Sequence, residues 1–283
     1  DDIYVLDPER EYAPMAKAFG GTIIKISNGS KAHINPFDIN LQNAGEDGDP
    51  VKVKSDFIQS LCETAIGGRF GLSQIEKSLI GRCATRLYTE HVRELQATEK
   101  DMNPETAPTM VDFYNLLMTQ PEPEAANIAL ALERFVSGSD DLFSHHSNID
   151  VENRFVVYDI KDIGSGLKEL GLQIAFDAIW NKMIENRAKG KRTWIYIDEF
   201  YLLMSKETSA EYISTIWKRA RKWNGVPTAI TQNVEDMLKS EQARTVINNS
   251  QFVTLLQQSP VNKKQLSNLL GLTTEEQKDY TTK

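Results

Sequence analysis

The run Thr193 to Phe200, TWIYIDEF, constrains this chain more than any other stretch. Apolar, β-favouring residues deliver two adjacent carboxylates, Asp198 and Glu199, to the end of a strand. Ligands of parallel α/β sheets bind just beyond the carboxyl ends of the strands, so the pair stands where chemistry is expected. The first acid suits Mg²⁺ and the second suits a water molecule, which is the pattern of a Walker B strand. Its usual companion, G-x-x-x-x-G-K-[ST], is missing. The only Gly-Lys pair, Gly190-Lys191, has Glu185 in place of the first glycine and Arg192 in place of Ser/Thr. The chain therefore carries half of a nucleotide site.

Periodicity extends this reading to the fold. Short runs rich in Ile and Val, at Ile3 to Leu6, Thr22 to Ile26, Phe155 to Asp159, Trp194 to Asp198, Pro227 to Thr231 and Phe252 to Leu256, predict strands. Helical spacing follows most of them. Leu172, Phe176, Ile179 and Met183 share one face after Gly166, and Ile213, Ile216, Trp217 and Ala220 share another after Ser209. Alternating strand and helix predicts an α/β fold with a mainly parallel sheet. From Val51 to Asp150 the strand signal stops. Phe57, Ile58, Leu61 and Cys62 mark one helix, and Ser73 with Glu76 forms a capping box for a second that runs toward Leu95. After a polar, proline-bearing break, Met110 to Leu117 and Glu122 to Val136 are again helical, and SGSDDLFSHHSN leads back toward the sheet. The expected organisation is residues 1–50 as the first part of the core, 51–150 as an all-α insertion, and 151–283 as the remainder of the core. A final short helix is expected at Asn262 to Leu270. The opening directly on a strand, with no phosphate loop before it, gives the expectation of a piece of a longer protein.

Composition narrows the class. With 283 residues, 40% hydrophobic and 25% charged, the chain can bury a sizeable core and is not a disordered segment. No apolar run approaches the roughly 18 residues of a membrane-spanning helix, and DDIY at the start is unlike a signal peptide. A net charge of −8 argues against passive wrapping of nucleic acid, leaving only a local basic strip to touch it. Cys62 and Cys83 lack ligand-spaced histidines and read as buried free thiols. His145-His146 reads as a solvated pair.

Each candidate residue has a plain alternative. Asp198 and Glu199 fit metal and water handling, or else the capping of the next helix. Gln232, at the end of the following strand in VPTAITQN, fits a γ-phosphate sensor, or a solvated residue before an Asn233 helix cap. In WKRARKWNG, Lys218, Arg219, Arg221 and Lys222 complement the negative end of a helix dipole; the same place suits an arginine finger reaching a neighbour's nucleotide, with Arg221 preferred to Arg219. In DPEREY, Asp7, Glu9 and Glu11 lie at a strand tip, where Asp-Pro turn chemistry explains much of the pattern. GGRFG at Gly67 to Gly71 follows helix-like sequence and reads as an interhelical turn.

Taken in order, VLDPEREY, HINPFDI, LFSHHSNI before RFVVYDI, WIYIDEF, RARKWNG and TAITQN resemble the ATPase family of bacterial conjugation and type IV secretion machines, in the HerA/FtsK-like branch of RecA-fold motors. The resemblance covers most of the chain and implies a RecA-like P-loop NTPase core with a helical insertion, here a motor-domain piece without its Walker A loop. It implies ATP and Mg²⁺ as cofactors, with Asp198 and Glu199 as Walker B, Asp198, Gln232 and Glu9 on the nucleotide, and Arg221 with Lys222 acting in trans. It further implies a homo-hexamer, cytoplasmic and peripheral on the inner face of the membrane, docked on inner-membrane components of the channel, with DNA or nucleoprotein as candidate cargo. The activity implied is ATP hydrolysis that powers assembly of, or transfer through, the channel. Two alternatives stay open: a DNA-translocating coupling ATPase of the same superfamily, and a non-catalytic scaffold, against which the retention of both acids speaks.

Overall fold

The computed structural model describes residues 1–41, 49–149, 152–232, 237, 240–256, 266–268, 270–273 and 275–276. Five strands, β1 (Asp2–Asp7), β2 (Thr22–Lys25), β3 (Phe155–Asp159), β4 (Thr193–Ile197) and β5 (Gly225–Ala229), form one sheet in the order β2-β3-β1-β4-β5. Every pairing is parallel, with Val5 opposite both Val157 and Tyr196. The predicted α/β class with a parallel sheet is thus the observed one. Pro227 sits in β5, which among the described residues is an edge strand, where its missing N–H costs no ladder bond.

The two faces of the sheet are covered unequally. Tyr4, Leu6, Ile24, Val156, Tyr158, Ile195 and Ile197 join a large core with the helices α6 (Lys168–Ala188) and α7 (Glu207–Ala220). On the other face Val5, Phe155 and Val157 pack with Ala16 of the short helix α1 (Ala13–Ala18). An amphipathic stripe predicted for α6 proves too narrow: Gln173, Asp177 and Asn186 are buried along with Leu172, Phe176 and Met183. The helix is buried over most of its girth because α6 lies between the sheet and α2 (Pro50–Ile66).

Between β2 and β3 the described residues form helices only: α2, α3 (Gln74–Ala97), α4 (Met110–Met118) and α5 (Pro123–Val136). The starts of α2 and α3 are fixed locally. Asp49 accepts from Val51 N ahead of Pro50, and Ser73 with Glu76 makes the reciprocal capping box. These helices have no core of their own, since Phe57, Phe113 and Leu132 belong to the same hydrophobic cluster as the sheet. A buried polar node reinforces the joint. Lys54 Nζ of α2 lies 2.5 Å from Asp177 Oδ2 of α6 and donates to Pro36 O, while Tyr212 of α7 donates to Asp177 Oδ1 at 2.9 Å. Burial pushes the Asp177 carboxyl upward, outweighing the opposite pull of Lys54 and Tyr212.

The HINPFDI segment closes the neck of this helical region. His33 N donates to Asn148 Oδ1 at 2.8 Å, Asn148 N returns to His33 O, and Ser147 Oγ bridges Asn35 N and Asp38 Oδ2. His145 and His146 are both exposed, as expected, with the His145 ring centroid 4.5 Å from that of His33. The GGRFG turn joins α2 to α3 and is held from beneath by Glu63, which accepts from Leu72 N, Lys77 and Thr208. Cys62 and Cys83 are buried and free, as expected.

One predicted strand is absent. Phe252 to Leu256 has no regular structure, and Phe252 is 88% exposed. A strand exists only by pairing, and among the described residues the sheet holds β1 to β5 without this run. The predicted β5 is also displaced: the strand starts at Gly225, two residues before the expected Pro227. Of the last predicted helix, Leu266–Asn268 and Leu270 are helical and the rest of Asn262 to Leu270 lies outside the described residues.

Candidate functional site

Parallel strands place all their carboxyl ends on one rim, so β1, β3, β4 and β5 bring Asp7, Asp159, Asp198 and Gln232 to the same side of the sheet. Each acid has a distinct use. Asp7 is fully buried and is occupied by its own loop, accepting from Glu9 N at 3.3 Å, Glu11 N at 3.0 Å and Tyr12 N at 2.9 Å. Asp159 is taken by Arg10 Nε at 2.5 Å and by Lys161 N. Arg10 also pairs with Asp162, and it adopts a left-handed φ of 63° to do so.

Asp198 is different. It is 6% exposed, its N–H completes the ladder to Leu6 O, and its Oδ1 accepts from Glu199 N at 2.9 Å. Oδ2 takes no hydrogen bond among the described residues, which leaves one carboxylate oxygen of a largely buried side chain for a ligand. Burial raises the Asp198 carboxyl above its ordinary value against the Glu199 N–H bond, with Glu11, Asp7 and Glu9 adding to the rise. Glu199 occupies the left-handed region at φ 47°, ψ 44°, which a non-glycine residue adopts only at a cost of about 1–2 kcal/mol. This conformation turns the chain sharply off β4 into a 3-10 turn at Phe200–Met204, and the bond from Phe200 N to Ile230 O ties the turn to the end of β5. Glu199 is half-buried; burial first, then Asp198, Glu9 and Glu11, push its carboxyl up, and Lys168 opposes them.

The set fits a magnesium-bound phosphate better than a protein-caged metal. Among the described residues no group of three or more His, Cys, Asp or Glu is arranged to hold a metal ion. Mg²⁺ keeps several of its waters and needs only one or two carboxylates alongside phosphate oxygens, which Asp198 Oδ2 can supply.

The remaining predicted residues separate into near and far. Gln232 is exposed in a bend beyond β5, on the same rim as Asp198, and Glu9 lies in the β1 loop on that rim. Asn233 is outside the described residues. Arg221 and Lys222 form a short turn ahead of β5, at the amino ends of the strands, so they stand on the opposite rim from Asp198 in the same chain. Sequence reasoning missed Arg10, Lys161 and Lys168, the cations that fasten the Asp7–Tyr12 loop. A signal existed for Lys168: it opens α6, where the helix dipole disfavours a cation.

The family model described as the TraG P-loop domain matches residues 2–281. Type IV secretion system protein virB4 of Bartonella quintana (strain Toulouse) is 26% identical over 123 residues, which is 42% of this chain and 15% of that protein. The virB4 protein of Bartonella henselae gives the same figures, so the chain spans a small part of the curated relatives it matches. The solved structure of VirB4 of Thermoanaerobacter pseudethanolicus superposes with a TM-score of 0.82 at 22% identity, covering 98% of this chain and 75% of that one. That likeness extends the shared fold over nearly every residue, and among the described residues no helix is long and apolar enough to cross a membrane. With the family model spanning almost its whole length, the chain belongs to the TraG P-loop domain family.

Proposed function

We propose that this chain is a motor-domain piece of an ATPase that powers assembly of, or substrate transfer through, a conjugative or type IV secretion channel. The observation that carries the reading is the end of β4, where Asp198 offers a carboxylate oxygen without a hydrogen bond among the described residues and the left-handed Glu199 stands beside it. Residues 51–150 are the helical insertion of this motor. When bound, Mg²⁺ with ATP supplies the phosphoanhydride and neutralises its charge. Asp198 orients the hydrated cation through Oδ2. Glu199 accepts hydrogen bonds from the attacking water and draws off its proton. Gln232, on the neighbouring strand, hydrogen-bonds the γ-phosphate or that water and so reports the nucleotide state. Glu9 borders the nucleotide from the β1 loop. Arg221 lies on the far rim and serves a neighbouring subunit's nucleotide, which requires a ring, proposed as a homo-hexamer held peripherally at the cytoplasmic face of the inner membrane on components of the channel.

No G-x-x-x-x-G-K-[ST] loop occurs in this sequence, and that loop supplies most contacts to the β- and γ-phosphates. The chain by itself is therefore expected to bind ATP weakly and not to hydrolyse it, whereas the full-length protein does both. Nucleotide titration and phosphate release on the chain, the full-length protein and its Glu199→Gln variant test this. Glu199→Gln should retain ATP binding and lose roughly 100-fold or more in turnover. An active variant, or hydrolysis by the chain alone, overturns the assignment.

A further inference from the structure

The loop from Asp7 to Tyr12 carries two glutamates toward the Walker B acids and would be expected to recoil from them. Cations restrain it instead. Arg10 is committed to Asp159 and Asp162, and Lys161 Nζ donates to the backbone O of Glu9. Lys168 alone among these grips a glutamate side chain of the loop, with Nζ 2.5 Å from Glu9 Oε1. It does so from the first position of α6, where the N-terminal dipole opposes a positive charge and Leu167 offers no side-chain cap. Lys168 pairs with Glu9 of the β1 loop, and its chain neighbour Glu169 is turned aside by accepting from Ser205 Oγ at 2.5 Å. Its positive charge also opposes the rise of the Glu199 carboxyl at the end of β4.

We propose that Lys168 is a positioning residue of the hydrolytic site: by gripping Glu9 it fastens the β1 loop on the β3 side of the rim and keeps that carboxylate from swinging against Glu199. The inference rests on the ATPase reading above for its kinetic consequence, and on the ion pair alone for its structural one. Losing the grip lets a like charge crowd the water-polarising glutamate, which disturbs the chemical step more than nucleotide capture.

In the full-length protein Lys168→Met should lower kcat by roughly 10- to 100-fold while KM for ATP stays within about threefold. Lys168→Arg, which keeps the ion pair, should stay within about threefold of the parent in both. In a Glu9→Gln background there is no charge to restrain, so adding Lys168→Met should cost less than about threefold. Unchanged kcat in Lys168→Met, a loss confined to KM, or an undiminished loss in the Glu9→Gln background would each overturn the positioning role. If Glu199→Gln abolishes turnover while Lys168→Met spares it, the positioning role falls and the ATPase reading stands. A full-length protein without ATPase activity sinks the ATPase reading, and amide hydrogen exchange on this chain then decides the structural claim. The Glu11 and Tyr12 amides, which donate to Asp7, should exchange about tenfold faster in Lys168→Met with the α6 amides unchanged, and equal rates refute it.

Discussion

Replacing Lys54 by Met tests whether the node between the helical region and the sheet is held by charge. The substitution conserves length and apolar stem but removes the ammonium 2.5 Å from Asp177, whose side chain is 5% exposed. A buried carboxylate left without its partner costs about 3–5 kcal/mol if it stays ionised. Asp177 has a cheaper route, which is to take up a proton, and Tyr212 OH at 2.9 Å can turn to accept from it. The cost of that route is set by pH. An acid whose folded pKa is raised above its unfolded value loses stability as pH climbs past the unfolded value, by about 1.4 kcal/mol per unit above roughly 3.9. Because burial already raises Asp177 in the parent, the resulting figures are upper bounds: about 4 kcal/mol at pH 7 and about 1.5 kcal/mol at pH 5. Urea denaturation of parent and variant at both pH values measures the difference, with an unchanged slope confirming that only stability moved. Adding Asp177→Asn, which keeps the shape and the Tyr212 contact, should recover most of the loss and remove its pH dependence. A cost that is equal at pH 5 and pH 7, or that the second substitution fails to relieve, refutes the electrostatic account.

Other outcomes follow from local geometry. The Cys62 thiol, pushed up to about 12 by burial, should resist a disulfide-exchange reagent at pH 8 in the native chain and react within minutes in urea; fast native labelling would contradict its enclosure. At Gly71, φ is +72° and an added Cβ would lie 2.4 Å from Glu63 Oε1, an oxygen fixed by Leu72 N and Lys77. Gly71→Ala should therefore cost about 2–3 kcal/mol, seen as a melting point lower by several degrees. Ser73→Ala removes half of the capping box of α3 and should cost about 1 kcal/mol in the same assay, whereas Ser73→Asp should cost little.

The legible parts of this fold are those where local chemistry decides the outcome. Ile and Val runs ending in Asp gave strands at β1, β3 and β4, because a central parallel strand is buried on both faces and must be apolar throughout. Ser73 and Glu76 marked the start of α3 since a capping box is complete within four residues. Phe252 to Leu256 has the same local composition as those strands and is not one, for pairing is a property of neighbours and not of the segment. The burial of Asp177 and Gln173 on α6 was equally out of reach, because their partners Lys54, Tyr212 and Ser60 are each distant in sequence. At the site, Asp198 and Glu199 announced themselves by position, but the Lys168 to Glu9 pair joins residues from separate elements and leaves only the misplaced cation as a trace.

The stapled neck bears on how the chain reaches this structure. β2 and β3 are register partners, Ile23 with Val157, yet the whole helical region is synthesised between them. The β2–β3 pairing therefore spans all of α2 to α5, and non-local pairing of this kind is the slow part of folding. The mutual bonds of His33 and Asn148 hold the returning chain near the exit of β2, so that where they form they shorten the effective loop that β3 has to close. HINPFDI is thus placed as a clasp at the base of the helical region, joining in space the two chain segments that flank it.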